Sequence, residues 1–140
     1  MNDLYKEFGT NKELEQGGVK VSPIDGIYFW VKRTGGANKA YSEAATKRLR
    51  PYVQKFNNGK SIPLDIVQNI NIELFVEYAL TNWENVTDRQ GNPLPFNKEN
   101  ATKLLQELPE LYSFLSDSGS DLSLFQNSEV EEISKKSSNA

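Results

Sequence analysis

Residues 62–83 read IPLDIVQNINIELFVEYALTNW, and this stretch decides the fold. Pro63 suits the first turn of a helix, because the N–H that proline lacks would be unpaired there. The apolar residues that follow point in nearly every direction on a helical wheel. They are Leu64, Ile66, Val67, Ile70, Ile72, Leu74, Phe75, Val76, Tyr78, Ala79, Leu80 and Trp83. The stretch predicts a central helix over about 63–83, covered on several sides by other elements or by a second copy.

A turn and a capped helix follow this stretch. Residues 85–93 carry the Asn, Asp, Gly and Pro residues that are typical of tight surface turns. Asn97 is a good N-cap residue, and apolar residues recur at helical spacing from Ala101 to Leu108. The pattern predicts a helix over about 97–108. Trp83, Pro95 and Phe96 are expected to be structural anchors that flank the turn.

The other segments predict a mainly α fold of the α+β type, with one globular domain over 17–127. Residues 1–16 are expected to be an N-terminal arm, either mobile or a short helix, and the β-branched and aromatic run Ile27–Val31 predicts a small hairpin over 19–32. Asn38 is expected to cap a helix over 38–57, in which Pro51 predicts a kink or a break. A further helix is expected over 110–118. The fold is thus a hairpin followed by a compact bundle of about four to five helices, with a disordered C-terminal tail over 128–140.

Composition excludes several classes of function. The 140 residues contain neither Cys nor His, which removes disulfides, thiolate metal sites and the commonest general base. No apolar run approaches the roughly 18 residues of a membrane span, and the polar start does not resemble a signal peptide. A soluble cytoplasmic protein without membrane association is therefore expected.

Charge is distributed unevenly along the chain. Residues 32–60 contain eight basic residues and one acidic residue, a net charge of +7 in a chain whose total is −3. Such a segment indicates either a solvated helix face balanced by nearby carboxylates or a basic face for an acidic partner. Tyr41, Tyr52 and Phe56 interleave with these cations, as in proteins that stack nucleic-acid bases. The same aromatics lie on the stripe that the helix needs for its core, so nucleic-acid binding is not favoured.

The sequence predicts no catalytic, cofactor-binding or metal site. Glu73 and Glu77 share a helix face at four-residue spacing, but no His accompanies them as a further ligand. The loop around Asp88 lacks the later ligands of a calcium site. Gly35 and Gly36 lack the Lys-Ser/Thr of a phosphate-binding loop. The protein is therefore expected to act by binding rather than as an enzyme.

One run of residues resembles the tail assembly chaperones of long-tailed bacteriophages. It comprises Asn82-Trp83-Glu84-Asn85-Val86-Thr87-Asp88, Gly91, Pro93-Leu94-Pro95-Phe96, Glu99-Asn100, Leu104-Leu105 and Pro109. The strand start at Gly18-Val19, the aromatic strand at 27–31, Asn38 and Tyr41 are similar too. The resemblance covers about residues 17–127. Asn82 departs from it, since glycine is expected before the tryptophan.

The resemblance implies a mostly helical protein that binds the phage tape measure protein in the host cytoplasm. Such a chaperone keeps its client soluble, promotes assembly of the tail tube around it and is absent from the mature virion. Many members also have a longer form, made by ribosomal frameshifting, through which the tail tube protein is a further partner. The alternatives are a structural or adaptor protein of the tail, which would use the hairpin for sheet augmentation, and a small nucleic-acid-binding regulator.

Two sets of apolar residues are candidates for partner binding. Ile66, Ile70 and Leu80 form the excess apolar side of the predicted central helix, and are expected to contact a client or a second copy in a homo-oligomer. Leu122, Leu124 and Phe125 form a last apolar cluster, which is expected to touch the client.

Overall fold

The computed structural model of the chain describes residues 3–126. Within them the order of elements is α1 (Leu4–Phe8), α2 (Lys12–Gly17), β1 (Val19–Ile24), β2 (Ile27–Val31), α3 (Lys39–Asn57), α4 (Leu64–Tyr78), β3 (Leu80–Glu84), α5 (Lys98–Glu107) and α6 (Pro109–Ser120). Short 3-10 turns lie at Gly35–Ala37 and Leu122–Phe125. The predicted mainly α fold with an N-terminal hairpin is confirmed. The tail predicted over 128–140 lies outside the described residues.

The hairpin forms where the aromatic strand predicted it. Strand β1 pairs antiparallel with β2, with Val21 opposite Phe29. The chain reverses through Asp25-Gly26, and Gly26 has a φ of +87°, a conformation that glycine adopts without steric cost. Phe29 and Val31 lie on the buried face of this hairpin. The helical part of the molecule packs on that face.

The predicted helix over 63–83 is too long, because residues 80–84 are a third strand. Helix α4 ends at Tyr78, and β3 pairs antiparallel with β2, placing Trp83 opposite Phe29. The Lys32 N–H also donates to the Ala79 carbonyl oxygen at 2.8 Å. A lone two-stranded hairpin is marginal in water, and a third strand satisfies the backbone groups along the second edge of β2. This non-local pairing outweighs the helical pattern of the sequence.

Helix α4 is nevertheless the central helix, as expected. Its second half is buried around most of its circumference, at Ile70, Ile72, Leu74, Phe75 and Val76. It contacts α3, α5 and β3, so three elements cover it. This covering explains why the apolar residues of α4 do not follow a single stripe.

Trp83 links the sheet to the segment before α5. Its ring meets Phe29 and Phe96 edge to face, with centroid distances of 6.0 and 5.1 Å. Its indole N–H donates to the Leu94 carbonyl oxygen at 2.8 Å. Pro95, predicted as a third anchor, is exposed, and its carbonyl oxygen accepts a hydrogen bond from Asn100 at 3.0 Å. The contact of Trp83 with Phe96 and its hydrogen bond to the Leu94 carbonyl therefore position the segment that leads into α5.

Helix α3 has nearly its predicted bounds, whereas α6 extends beyond its predicted end. Helix α3 runs unbroken through Pro51. Proline removes one N–H there, but Pro51 and Lys47 are exposed, so water can hydrate the carbonyl left without a partner. Helix α6 continues past the predicted end at 118, because Gly119 packs against the 32–34 segment. The Thr34 N–H donates to the Gly119 carbonyl at 3.0 Å, and a Cβ on Gly119 would meet the Thr34 methyl at 2.7 Å.

Asn38 joins three parts of the chain. Its side-chain oxygen accepts from the Tyr41 N–H at 3.1 Å and so caps α3. Its amide donates to the carbonyl oxygen of Arg33 at 2.9 Å and to that of Tyr78, the last residue of α4, at 3.0 Å. One side chain therefore satisfies backbone groups at the start of α3 and at the end of α4.

We expect Asn38→Ala to lower the free energy of unfolding by about 2 kcal/mol, because it removes a cap and leaves two carbonyl groups without their donor. Asn97→Ala is the matched control, since Asn97 caps α5 through one bond to the Asn100 N–H, and it should cost about 1 kcal/mol. Asn38→Asp keeps the capping oxygen and loses the amide donor. Urea denaturation would measure all three, and equal losses for Asn38→Ala and Asn97→Ala would contradict a bridging role.

Candidate protein-binding surface

Within residues 3–126, acidic side chains pair with basic side chains of neighbouring helices. Among residues 3–126 there is no group of three acidic residues that could hold a metal ion. Glu73 and Glu77 are each paired with a different cation: Arg48 and Lys98 lie 2.6 Å from their carboxylate oxygens. These ion pairs join α4 to α3 and to α5. The charges therefore connect helices across a solvated surface.

Helix α3 is the least covered long element of the fold. All 19 of its residues are half-buried or exposed. One side of it faces the rest of the chain, where Tyr41 packs against the core and Arg48 pairs with Glu73. The apolar stripe beside this contact comprises Ala45, Leu49, Val53 and Phe56, at spacings of three and four residues. Val53 and Phe56 are exposed, and Ala45 and Leu49 are half-buried.

Exposed apolar residues occur both at the end of α3 and at the start of α4, two helices that pack against each other as a helical hairpin. Exposed fractions are 54% for Val53 and 65% for Phe56 at the end of α3, and 76% for Leu64 and 44% for Ile66 at the start of α4. A shallow groove of about 440 Å³ runs along α3 past Ala45, Leu49 and Val53. We call Ala45, Leu49, Val53, Phe56, Leu64 and Ile66 the hairpin surface, after the helical hairpin of α3 and α4 that carries them. Exposed apolar side chains concentrated in one part of a fold are typical of protein–protein contacts.

Helix α3, which carries most of the hairpin surface, is strongly basic. Helix α3 carries five cations, at Lys39, Lys47, Arg48, Arg50 and Lys55, against the single carboxylate of Glu43. One expectation for this segment was a solvated helix face balanced by nearby carboxylates. Among the described residues, the pairing of Arg48 with Glu73 balances one of the five cations in this way. Arg50 lines the groove beside Val53. The surface therefore suits a partner with an apolar stripe and acidic flanks.

The aromatic residues of the basic segment do not share one environment. Tyr41 packs against the core, while Phe56 is exposed, so the expectation that all three aromatics serve this chain's own core is wrong for Phe56. Tyr52 is half-buried, with the Lys55 ammonium 5.6 Å from its ring centroid. Because these rings do not form one platform, the arrangement favours an apolar partner over stacked bases.

Of the first predicted partner-binding set, only Ile66 is exposed. Ile70 is buried within α4, and Leu80 is buried in the sheet, where it pairs with Val31 because α4 ends before it. The prediction that Ile70 and Leu80 line a surface is therefore wrong for this fold. The residues that sequence reasoning missed are Val53, Phe56 and Leu64. For Val53 and Phe56 the signal was the apolar stripe of α3, which was interpreted as core, whereas Leu64 was counted among the apolar residues of the central helix.

The second predicted set lies in the turn after α6. Phe125 is fully buried, with the Arg33 guanidinium 5.3 Å from its ring centroid, and Leu122 and Leu124 are half-buried. The Phe125 carbonyl oxygen accepts from the Asn11 N–H at 2.7 Å. Phe125 therefore packs within this chain, contrary to its predicted role as a client contact, and the turn fixes the base of the N-terminal arm.

Two other surface features are less suited to binding a partner. A groove of about 550 Å³ lies between the 87–90 loop and α5, and the Arg89–Glu107 ion pair, at 3.4 Å, joins the same two segments. Strand β1 is an edge of the sheet, as sheet augmentation would require. It contains Pro23 and an irregular register between Val21 and Ile24, both of which hinder addition of another strand.

No helix of the described residues has the length and apolar character needed to cross a membrane.

Comparison with known proteins relates the chain to phages. A family model described as "YdaY prophage protein" matches residues 36–136. The matched range contains α3, α4, β3, α5 and α6, so it includes the hairpin surface but neither β1 nor β2. Neither a curated protein nor a solved structure matches the chain.

Tyr41 of α3 and Tyr112 of α6 are half-buried and both pack against the core. Burial raises the pKa of both phenols above the ordinary value of 10.0. The proximity of Tyr112 raises the pKa of Tyr41 further. At Tyr112, a hydrogen bond with Ser116 partly offsets the rise in pKa. The Tyr112 ring also meets Phe75 of α4 edge to face, at 5.7 Å. The fold therefore favours the neutral form of both side chains.

We expect the chain to lose stability as the pH rises above about 10, because the unfolded state releases these two protons before the folded state does. The double variant Tyr41→Phe/Tyr112→Phe should lose less free energy of unfolding than the wild type between neutral and alkaline pH. Tyr28→Phe, on the sheet, is the control. Urea denaturation at both pH values measures the difference, and parallel losses in the wild type and the double variant would refute this account.

Proposed function

The chain belongs to the YdaY prophage protein family, and we propose that it is a tail assembly chaperone that binds the tape measure protein. In this proposal it keeps the client soluble in the cytoplasm of the infected cell and promotes assembly of the tail tube around it. It then leaves before the virion is complete. A longer frameshifted form would add contact with the tail tube protein.

The observation that carries the proposal is the hairpin surface. A helical client with apolar residues at three- and four-residue spacing would lay its stripe along α3, as amphipathic helices do in hydrophobic grooves. Val53, Phe56 and Leu64 would then become buried without any change in the core. Burial of each large apolar side chain contributes about 1.5–3 kcal/mol before the costs of association, so a few such contacts give reversible binding.

The charges around the surface support the same kind of client. Arg50 and Lys55 flank the apolar stripe of α3 and would attract acidic residues beside the stripe of a helical client. Rim charges of this kind act mainly on the rate of association and on the choice of partner. Resemblance of the 82–109 region to tail assembly chaperones supports the choice of the tape measure protein as that client.

We expect co-expression with the tape measure protein of the same phage genome to keep that protein soluble. The double variant Val53→Ser/Phe56→Ser should weaken client binding at least about tenfold, because it removes two large apolar contacts from the surface. Phe114→Ser is a suitable control, since Phe114 is an exposed phenylalanine on α6, away from the hairpin surface. Size-exclusion chromatography with light scattering measures the complex.

Two results would overturn the proposal. The first is a client that precipitates while the wild-type chain elutes alone. The second is an equal loss of binding in the double variant and in Phe114→Ser, which would mean that the hairpin surface is not the binding site. Circular dichroism should show unchanged helix content in both variants, because the altered residues lie outside the core.

A further inference from the structure

The N-terminal arm carries a second uncovered apolar group. Helix α1 has five residues, all exposed, and three of them are large and apolar: Leu4, Tyr5 and Phe8, with exposed fractions of 71%, 86% and 68%. A helix this short is unstable in water unless it packs against something. Within residues 3–126 these three side chains remain mostly exposed. We call them the arm residues.

The arm is held at its base. The Gln126 side chain donates to the carbonyl oxygens of Glu7 and Gly9, both at 2.8 Å, and the Asn11 N–H donates to the Phe125 carbonyl. These bonds fix where the arm leaves the body while the arm residues stay exposed. An anchored element that displays apolar side chains is suited to reach a neighbouring molecule.

The arm and the hairpin surface both expose apolar side chains, and their charges are complementary. Residues 3–17 carry four carboxylates, at Asp3, Glu7, Glu13 and Glu15, against two lysines, whereas α3 carries five cations against one carboxylate. Opposite charges beside two apolar surfaces favour their contact, and like charges disfavour contact of α3 with a second α3. One chain thus carries both an acidic segment with exposed apolar residues and a basic apolar surface that complements it.

We propose that the arm residues of one copy dock on the hairpin surface of a second copy. The contact joins different surfaces, so two copies can exchange arms reciprocally or several can form a ring. The arm then covers Val53 and Phe56 in the absence of other ligands. This inference uses the surface assigned to the client under the proposed function, but the contact between copies can be tested with no client present.

We expect the wild-type chain to self-associate in light-scattering measurements between micromolar and submillimolar concentrations. Two double variants, the arm variant Leu4→Ser/Phe8→Ser and the surface variant Val53→Ser/Phe56→Ser, should each associate at least about tenfold more weakly. Ile24→Ser removes an equally exposed apolar side chain outside both surfaces and should associate like the wild type. A monomeric wild type, or equal weakening by Ile24→Ser, would overturn the proposal.

Mixing the two variants gives the decisive test. The arm variant keeps an intact hairpin surface and the surface variant keeps an intact arm, so an equimolar mixture should form a heterodimer although each variant alone is monomeric. A mixture that stays monomeric would exclude contact between arm and surface. If identical surfaces contacted each other instead, the variant in which that surface is unaltered would still associate on its own.

A cross-link would locate the contact. The chain has no Cys, so Tyr5→Cys in one copy and Val53→Cys in the other introduce single thiols, and oxidation should join them when the two proteins are mixed. Gln16→Cys, in the same N-terminal region, is the matched control and should cross-link less. Failure of these tests would leave client binding untouched, because neither the tape measure protein nor any other client takes part in them.

Discussion

The pairing of β3 with β2 is the constraint on which the rest of the structure depends. Phe29 and Trp83 face each other across these strands, and the Trp83 indole then binds the Leu94 carbonyl and contacts Phe96. One cross-strand pair therefore connects the sheet to the start of α5. The same pairing requires α4 to end at Tyr78, since the residues after Ala79 must be extended to reach the edge of β2.

This constraint divides the α3–α4 hairpin into two parts. The second half of α4 is enclosed by α3, α5 and β3, and it forms the core. The first half of α4 and the end of α3 extend beyond that enclosure, so Phe56 and Leu64 remain mostly exposed. Large apolar side chains that stay in water do not stabilise the fold through burial. Their concentration at one end of the molecule fits a surface that another chain covers.

Both proposals rest on the same physical feature. A chaperone must expose apolar surface to hold a helical client, yet the same exposure promotes aggregation when the client is absent. An acidic arm that carries Leu4, Tyr5 and Phe8 would cover the basic, apolar end of a neighbouring copy and be displaced by a tighter ligand. The YdaY match begins at residue 36, so the matched part includes the surface and excludes the arm.

The sequence by itself determined the elements whose signals are local. Cap and turn residues predicted α3 and α5 to within about one residue at each end, because Asn38 and Asn97 satisfy the first N–H groups of their own helices. The aromatic run Ile27–Val31 predicted the hairpin, and Trp83 and Phe96 were identified as flanking the turn. The absence of Cys and His restricted the candidate chemistry in the same direct way.

Only the tertiary structure decided the end of α4 and the exposure of α3. Leu80–Trp83 is compatible with a helix or a strand, and the free edge of β2, about 50 residues earlier in the chain, selects the strand. Similarly, Leu49, Val53 and Phe56 form the same periodic stripe whether this chain or a partner covers them. Periodicity reports which side of an element is apolar, and the packing of distant segments decides what covers that side.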